Sequence, residues 1–190
     1  MHSEIERALR PELSAGEKLL WSGQPRRGLR LRPADALLIP FSLMWGGFAI
    51  FWELSVLQSG APFFFRLWGI PFVLVGLYLI AGRFFTDAWQ RARTYYGITS
   101  ERVLIVSGVF QRQVKSLALR NLSEVTLSER GDRSGSITFG VVPPMYGWLA
   151  GSGWPGTGKQ LPPSFDLIEN ARQVHAQLQT AQRALQPVGA

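Results

Sequence analysis

Two charge-free apolar stretches, ALLIPFSLMWGGFAIFW (residues 36–52) and LWGIPFVLVGLYLIAG (residues 67–82), decide the architecture of this chain. The first has 17 residues and the second 16, and their flanks extend them to about 36–57 and 64–85. A helix needs about 20 largely apolar residues to cross the hydrocarbon core of a bilayer. A helix on the surface of a soluble protein keeps a polar stripe, which neither stretch has. We therefore predict a transmembrane helical hairpin over residues 33–86.

The composition agrees with this interpretation and excludes several kinds of site. The 190 residues include 20 Lys and Arg and 13 Asp and Glu, so the net charge is +7, while the mean hydropathy is only +0.07. The chain has no cysteine, which excludes disulfide frameworks, thiolate metal sites and cysteine nucleophiles. Two helices buried in a soluble core are the alternative, but the remaining residues, about 140, are too few to surround them.

The distribution of basic residues predicts the orientation of the hairpin. The connection between the two apolar stretches carries only Arg66. The arginines that lie shortly before the first stretch or shortly after the second are Arg26, Arg27, Arg30, Arg32, Arg83, Arg91 and Arg93. Positive charge is retained on the cytoplasmic side, so the N-terminal segment 1–32 and the chain after the hairpin are expected in the cytoplasm. The side chains expected to anchor the membrane interfaces are Trp52, Trp68, Arg83 and Trp89.

The pattern of residues 87–186 changes to short strands with turn signals at intervals of about 8–12 residues. The predicted strands are 95–99, 102–106, 109–119, 123–128 and 136–140. They predict an antiparallel β-barrel or sandwich. Ten of the 21 residues in 143–163 are Gly or Pro, which predicts a loop with at most a short strand at 146–149. Apolar residues at three- and four-residue steps then predict a C-terminal helix over 165–185 that caps the sheet.

The N-terminal segment and several signatures resemble the bacterial pleckstrin-homology (PH) domain membrane proteins. The matching residues are GEKLLW (16–21), YGITSERV (96–103) leading to Gly108, Lys115–Leu119, LSEV (122–125) and GSITF (135–139). A short helix at 3–9 and a loop into Leu19 precede the hairpin. The resemblance implies an α+β membrane protein of the bacterial inner membrane, in which a two-helix hairpin is followed by a cytoplasmic PH-like domain. It also implies a binding module, without naming its ligand.

Two sets of side chains are candidates for contact with a protein partner or lipid headgroups. The basic set comprises Arg102, Arg112, Lys115 and Arg120, and the aromatic set comprises Tyr146, Trp148 and Trp154. Basic side chains near a membrane are attracted to anionic lipids by about 1 kcal/mol each. A solvated strand face is the simpler explanation of the basic set, and local packing also explains the aromatic set. Nucleic acid is disfavoured, because the arginines cluster at the membrane boundaries and are not interleaved with exposed aromatics.

Catalytic and cofactor signals are weak throughout the sequence. Residues 153–159 have the glycine and lysine spacing of a phosphate-binding loop, and 151–156 have that of a dinucleotide fingerprint. Such loops need a helix directly after them, which the two prolines at 162–163 prevent. We therefore predict a non-enzymatic, membrane-anchored scaffold without cofactor or metal. The alternatives are an accessory subunit of a larger membrane complex, using Gly46-Gly47 and the many phenylalanines, and a nucleotide-using enzyme.

Overall fold

A computed structural model of the chain describes residues 2–26, 28, 35–108, 112–142 and 161–185. They fall into two compact units. The described residues of one unit lie within 35–88, and those of the other lie within 2–28, 89–142 and 161–185. The first unit is helical, and the second contains all the strands.

Two helices, α2 (Asp35–Gln58) and α3 (Phe63–Ala92), are long and apolar enough to cross a membrane. They contain the predicted spans 36–57 and 64–85, and α3 includes one π-helical turn at Tyr78–Gly82. Large apolar side chains cover their outer surfaces, and Phe48 and Phe63 are 67% and 72% exposed. Exposed apolar surfaces of this extent mark sites of contact with a membrane or with another protein.

Glycines bring the backbones of α2 and α3 into close contact. A Cβ atom added at Gly76 would lie 2.8 Å from the Cα atom of Gly46, and one added at Gly46 would lie 2.6 Å from Ile80 Cδ1. Small residues permit such crossings between membrane helices. The neighbouring Gly47 faces open space. Gly46 is therefore used within the chain, which differs from the expectation that the Gly46-Gly47 pair contacts another subunit.

We expect Gly76→Ala to destabilise the hairpin by about 1–2 kcal/mol, because the new methyl group meets rigid backbone and the helices must separate. Unfolding of the full chain in mixed detergent micelles, driven by titration with SDS, measures the loss of stability. Gly47→Ala is the matched control and should be neutral or slightly stabilising, because alanine has the higher helix propensity. Equal effects of the two substitutions would contradict the close crossing at Gly46 and Gly76.

A buried ion pair joins the beginning of α2 to the later part of α3. Arg83 Nη1 lies 2.6 Å from Asp35 Oδ1, and both side chains are only 7% exposed. Arg83 Nε also donates to the carbonyl oxygen of Leu79 at 3.0 Å, and its guanidinium lies 4.4 Å from the ring centre of Phe84. Arg83 was expected to reach the membrane interface as an anchor. Instead, it is held inside the helical unit by the carboxylate of Asp35.

The second unit consists of two antiparallel sheets and two helices. The first sheet has the order β1 (Leu19–Gly23), β2 (Thr94–Thr99), β3 (Arg102–Ser107), β4 (Gln113–Ala118). The second has the order β5 (Val125–Glu129), β6 (Gly135–Phe139), β7 (Ser164–Ile168). The helices are α1 (His2–Leu9) and α4 (Ala171–Leu185), and short 3-10 turns occur at Arg10–Glu12 and Leu119–Asn121. In the described part of the chain the two sheets do not join into a closed barrel.

The five predicted strands are confirmed as β2 to β6 with small shifts at their ends, although residues 109–111 lie outside the described residues. The helix predicted over 165–185 begins only at Ala171, so the prediction is wrong for its first turn. Residues 164–168 form β7, and Asn170 then has a φ of +50°, which interrupts regular structure before the helix. The predicted loop 143–163 and its short strand lie mostly outside the described residues.

The first sheet is covered on both faces. Between the sheets, Phe165 packs its ring against Tyr96 and Phe139 at centroid distances of 4.6 and 5.0 Å, and α4 closes this core with Val174 and Leu178. On the opposite face, an apolar side of α1 packs against β3. That second cluster comprises Ile5, Leu9, Leu104 and Val106. The N-terminal segment is therefore part of the folded domain, since it supplies both an edge strand and a covering helix.

Candidate functional site

Arg102, the first residue of the predicted basic set, lies in a network that fastens the N-terminal segment to the sheet. Its Nε and Nη2 donate to Glu17 Oε1 and Oε2 at 2.9 and 2.7 Å. Glu17 also accepts from the hydroxyl of Thr99 at 2.6 Å and from the backbone N–H of Ser14 at 2.8 Å. The Glu17 side chain is fully buried, whereas that of Arg102 remains 26% exposed. The bonds from Arg102 and Thr99 connect Glu17, which precedes β1, with β3 and β2, whereas the bond from Ser14 lies within the segment before β1.

The electrostatics of this network favour the ionised forms of both partners. The hydrogen bonds from Arg102 lower the pKa of Glu17 from 4.5 to about 2, with further contributions from Thr99 and Ser14. The same pairing raises the pKa of Arg102 above its ordinary value. The guanidinium of Arg102 is therefore bound to a carboxylate within the domain. It is a poor candidate for contact with an external ligand.

Arg112 is likewise used within the domain. Its Nη2 lies 2.8 Å from a carboxylate oxygen of Glu12 and 2.8 Å from the carbonyl oxygen of Ala8, which it contacts as a donor. The side chain is 51% exposed, so this ion pair is accessible to water and weak. Two of the four predicted contact residues thus help to hold the N-terminal segment.

Lys115 and Arg120 form the open part of the basic set. Lys115 lies on β4, of which five of the six residues are exposed, and Arg120 lies in the following 3-10 turn. Neither side chain makes an ion pair with any residue that the structure describes. Among the strands that the structure describes, β4 is also an edge of its sheet, and one row of its backbone groups is not paired to any of them. We call Lys115, Arg120 and the edge of β4 the β4 surface.

The aromatic candidates divide between described and undescribed parts of the chain. Tyr146, Trp148 and Trp154, and the glycine-rich motifs at 151–159, lie outside the described residues. Trp68 is 56% exposed and stacks near Phe64 and Phe72 on α3, while Trp52 is partly buried beside Gly69. Trp89 is 41% exposed, and the guanidinium of Arg93 lies 4.5 Å from its ring centre.

The helical hairpin occupies the connection between two neighbouring strands. β1 ends at Gly23, which is the register partner of Tyr96 in β2. In sequence, both apolar helices lie between these two residues. The chain therefore leaves the sheet from one strand, forms the hairpin, and returns to the strand that is hydrogen-bonded to the first.

This arrangement, a small domain of two antiparallel sheets closed by a C-terminal helix, agrees with the comparison with known protein families. The model of the bacterial PH domain matches residues 42–181, about three quarters of the chain. The chain belongs to the bacterial PH domain family. The resemblance drawn from the sequence motifs is thus confirmed. Comparisons with curated proteins and with solved structures give no significant match.

PH domains are in general binding modules without catalytic activity, and the chemistry of the described residues is compatible with this. Within the described ranges, no group of three or more His, Asp or Glu side chains is arranged to hold a metal ion. His175 on α4 is partly exposed.

Sequence reasoning missed the roles of Glu17 and Asp35. Glu17 belongs to the GEKLLW stretch, but its partner Arg102 lies 85 residues later. Asp35 immediately precedes the first apolar run and meets Arg83 only when the hairpin closes. For Asp35, the signal available in the sequence was the position of its carboxylate directly beside an apolar run. Nothing local to Glu17 identifies its partner.

Proposed function

We propose that this protein is a membrane-anchored, non-enzymatic scaffold whose PH domain docks a protein partner or lipid headgroups at the cytoplasmic face of the bacterial inner membrane. The observation that carries the proposal is the insertion of the apolar hairpin between β1 and β2. A binding domain tethered through two hydrogen-bonded strands is held at the membrane by both ends of the hairpin. Its orientation is consequently much more restricted than it would be on a single flexible linker.

The tether also supports the proposed topology. Because β1 and β2 are neighbours in one sheet, Gly23 and Tyr96 lie on the same side of the membrane. The segment between them therefore crosses the bilayer an even number of times, and its two apolar helices supply two crossings. Arginines on the domain side of these helices favour the cytoplasm for that side. Both termini are then cytoplasmic, and Gly60 lies outside.

The β4 surface is the proposed docking site. Each exposed lysine or arginine contributes about 1 kcal/mol of attraction when it lies near an anionic membrane surface. An exposed edge strand can also accept an extended segment of a partner through main-chain hydrogen bonds. Lys115 suits both roles, because a lysine on an edge strand discourages uncontrolled strand pairing while leaving the edge open to a selected partner.

Photo-crosslinking in intact bacterial membranes tests this function. A photoreactive amino acid at Lys115 should give a specific adduct, whose mass shows whether a protein or a lipid is docked. The same group at Gln179, on an exposed position of α4, is the matched control and should give little adduct. Reporter fusions at Gly60 and after Gln186 should report outside and inside respectively. Equal crosslinking at both positions, or the reverse reporter pattern, would contradict the proposal.

A further inference from the structure

We propose that two copies of this chain associate in the membrane through reciprocal ion pairs, Glu53 of each copy binding Arg66 of the other. This rests on the membrane-anchored hairpin proposed above and names a partner for it. Glu53 lies five residues before Gln58, the last residue of α2, and Arg66 lies three residues after Phe63, the first residue of α3. Both side chains therefore belong to the apolar helices, about 5–8 Å from the ends that join at the connection.

The carboxylate of Glu53 is held in a notch on α3. A Cβ atom added at Gly69 would overlap Glu53 Oε2, so only a glycine leaves room for this oxygen. Oε2 is buried and accepts no hydrogen bond. The residue as a whole is only partly buried, which leaves Oε1 at the surface of the hairpin. The notch thus fixes an acidic group between two apolar helices and supplies no donor for it.

Arg66 has the same deficiency with the opposite charge. Its Nε is buried and donates no hydrogen bond, and the residue is likewise partly buried. Among the residues that the structure describes, neither Arg66 nor Glu53 makes an ion pair through its side chain. Charged side chains within membrane helices are costly and pair with one another or with backbone carbonyl groups. A second copy would supply the missing partner of each.

The depths of the two residues fit a symmetric dimer. Two copies with the same topology are related by a two-fold axis along the membrane normal, so equivalent residues lie at equal depth. Glu53 contacts Gly69, and Arg66 precedes Gly69 by three residues, about one helical turn. Glu53 and Arg66 therefore lie at nearly the same depth. A single rotation brings each Glu53 beside the Arg66 of the other copy and forms two ion pairs at once.

The surroundings of these charges also favour a second copy. Large apolar side chains flank both of them, and Phe51 on α2 and Phe63 on α3 are 69% and 72% exposed. Such side chains exclude water from a contact between copies, and the attraction of opposite charges is stronger where water is excluded. A different membrane protein with a single basic residue would pair with Glu53 and leave Arg66 unpaired. The second copy satisfies both.

Energy transfer between labelled copies in phosphatidylcholine vesicles measures the association. The chain has no cysteine, so Ser59→Cys in the exposed connection carries a single dye on each copy. Energy transfer between copies of the otherwise unchanged chain should persist when the vesicles are diluted with lipid. Glu53→Arg and Arg66→Glu should each weaken self-association about tenfold or more, because like charges then face each other in both pairs.

Mixing the two charge-reversal variants distinguishes pairing between copies from pairing within one copy. Glu53→Arg and Arg66→Glu present opposite charges to each other at both positions, so their mixture should associate within about threefold of the parent. An ion pair within one copy would not be restored by mixing. If charge reversal prevents insertion, the milder variants Glu53→Gln and Arg66→Gln give the same comparison. Their mixture retains one pair and should associate more tightly than either variant alone.

Glu124→Arg and Arg183→Glu are the matched controls, because both residues are exposed in the PH domain. Each should associate like the parent, and their mixture should show no preference, since distant exposed charges are screened. A parent chain that stays monomeric, or mixtures that do not recover, would overturn the dimer and leave the scaffold to the crosslinking test at Lys115. A chain that fails to insert into the vesicles would overturn the membrane-anchored scaffold as well.

Discussion

Replacing Glu17 by glutamine is expected to lower the free energy of unfolding of the PH domain by about 3 kcal/mol. The substitution removes the charge that receives two hydrogen bonds from Arg102, and the Glu17 side chain is fully buried. Breaking a buried ion pair from one side is costly because the remaining charge loses its partner. Arg102 is 26% exposed, so water can solvate its guanidinium after the substitution and offset part of that cost. The expected effect therefore lies at the lower end of the range for buried pairs.

Hydrogen exchange measured on the full chain in detergent micelles would follow this loss in β1 and β2 separately from the helical hairpin. Glu124→Gln is the matched control, because Glu124 is exposed and its side chain makes no ion pair with the described residues. Its effect should stay within about 0.5 kcal/mol. If the two variants exchange alike, the Glu17–Arg102 pair does not hold the N-terminal segment to the sheet.

The same pair should give the domain a characteristic sensitivity to acid. The pKa of Glu17 is about 2 in the folded domain, below its ordinary value of 4.5, so folding favours the ionised carboxylate. Its stabilisation is therefore complete above about pH 4.5 and is lost as the pH falls towards 2. A difference of this size in pKa corresponds to about 3 kcal/mol, in agreement with the effect expected of the substitution. Glu17→Gln should remove this component of the pH dependence.

Local signals in the sequence were sufficient to predict the hairpin and most of the strands. The two charge-free stretches have no polar stripe, so a pair of long apolar helices was predictable without any tertiary information. The strands from β2 to β6 follow one another closely, and turn residues such as Ser100-Glu101 and Gly131-Asp132 separate them. Within each sheet these strands pair with their sequence neighbours, β2 with β3, β3 with β4 and β5 with β6, so the turn residues between them are enough to locate them.

The two missed strands lack this local support. β1 pairs with β2, which begins about seventy residues later on the far side of the hairpin, so no turn marks the pairing. β7 was mistaken for the first turn of the last helix. Its buried residues Phe165 and Ile168 are three apart, a spacing that suits a helix, while Phe165 and Leu167 also show the alternation of a strand. Short apolar segments are ambiguous in this way, and the contact with β6 decides between them.

The candidate contact residues were predictable from the sequence only as a group of basic side chains. The sequence identified four basic residues near β3 and β4, but it does not show that Arg102 and Arg112 face carboxylates from the N-terminal segment. Conversely, nothing in the linear pattern distinguishes Arg130 and Arg133, which are exposed residues between β5 and β6. Their association with Arg172 depends on the packing of α4 against the second sheet, about forty residues later in the chain. An arginine that pairs with a carboxylate differs from one that does not only in its tertiary partners. These partners cannot be identified from the linear sequence pattern.

Loss of the Asp35–Arg83 pair should produce an effect of similar size in the helical unit. We expect Arg83→Gln to destabilise the hairpin by about 3 kcal/mol, because it removes the guanidinium that lies 2.6 Å from the carboxylate of Asp35 at a site where both side chains are only 7% exposed. Arg83 is the better residue to replace. Asp35 also lies in the first turn of α2, where a negative charge interacts favourably with the helix dipole independently of the ion pair.

Titration of the full chain with SDS from mixed micelles would measure this loss through the unfolding of the hairpin. A double variant, Asp35→Asn/Arg83→Gln, separates the pair from its surroundings. Two neutral amides leave no buried charge, so the double variant should be more stable than Arg83→Gln alone, with a coupling of about 2 kcal/mol between the two positions. Additive losses would show that the two groups act independently. In that case apolar packing and the Gly46–Gly76 crossing would hold α2 and α3 together. The Arg83→Gln substitution would then act only through the change in solvation of the side chain at position 83.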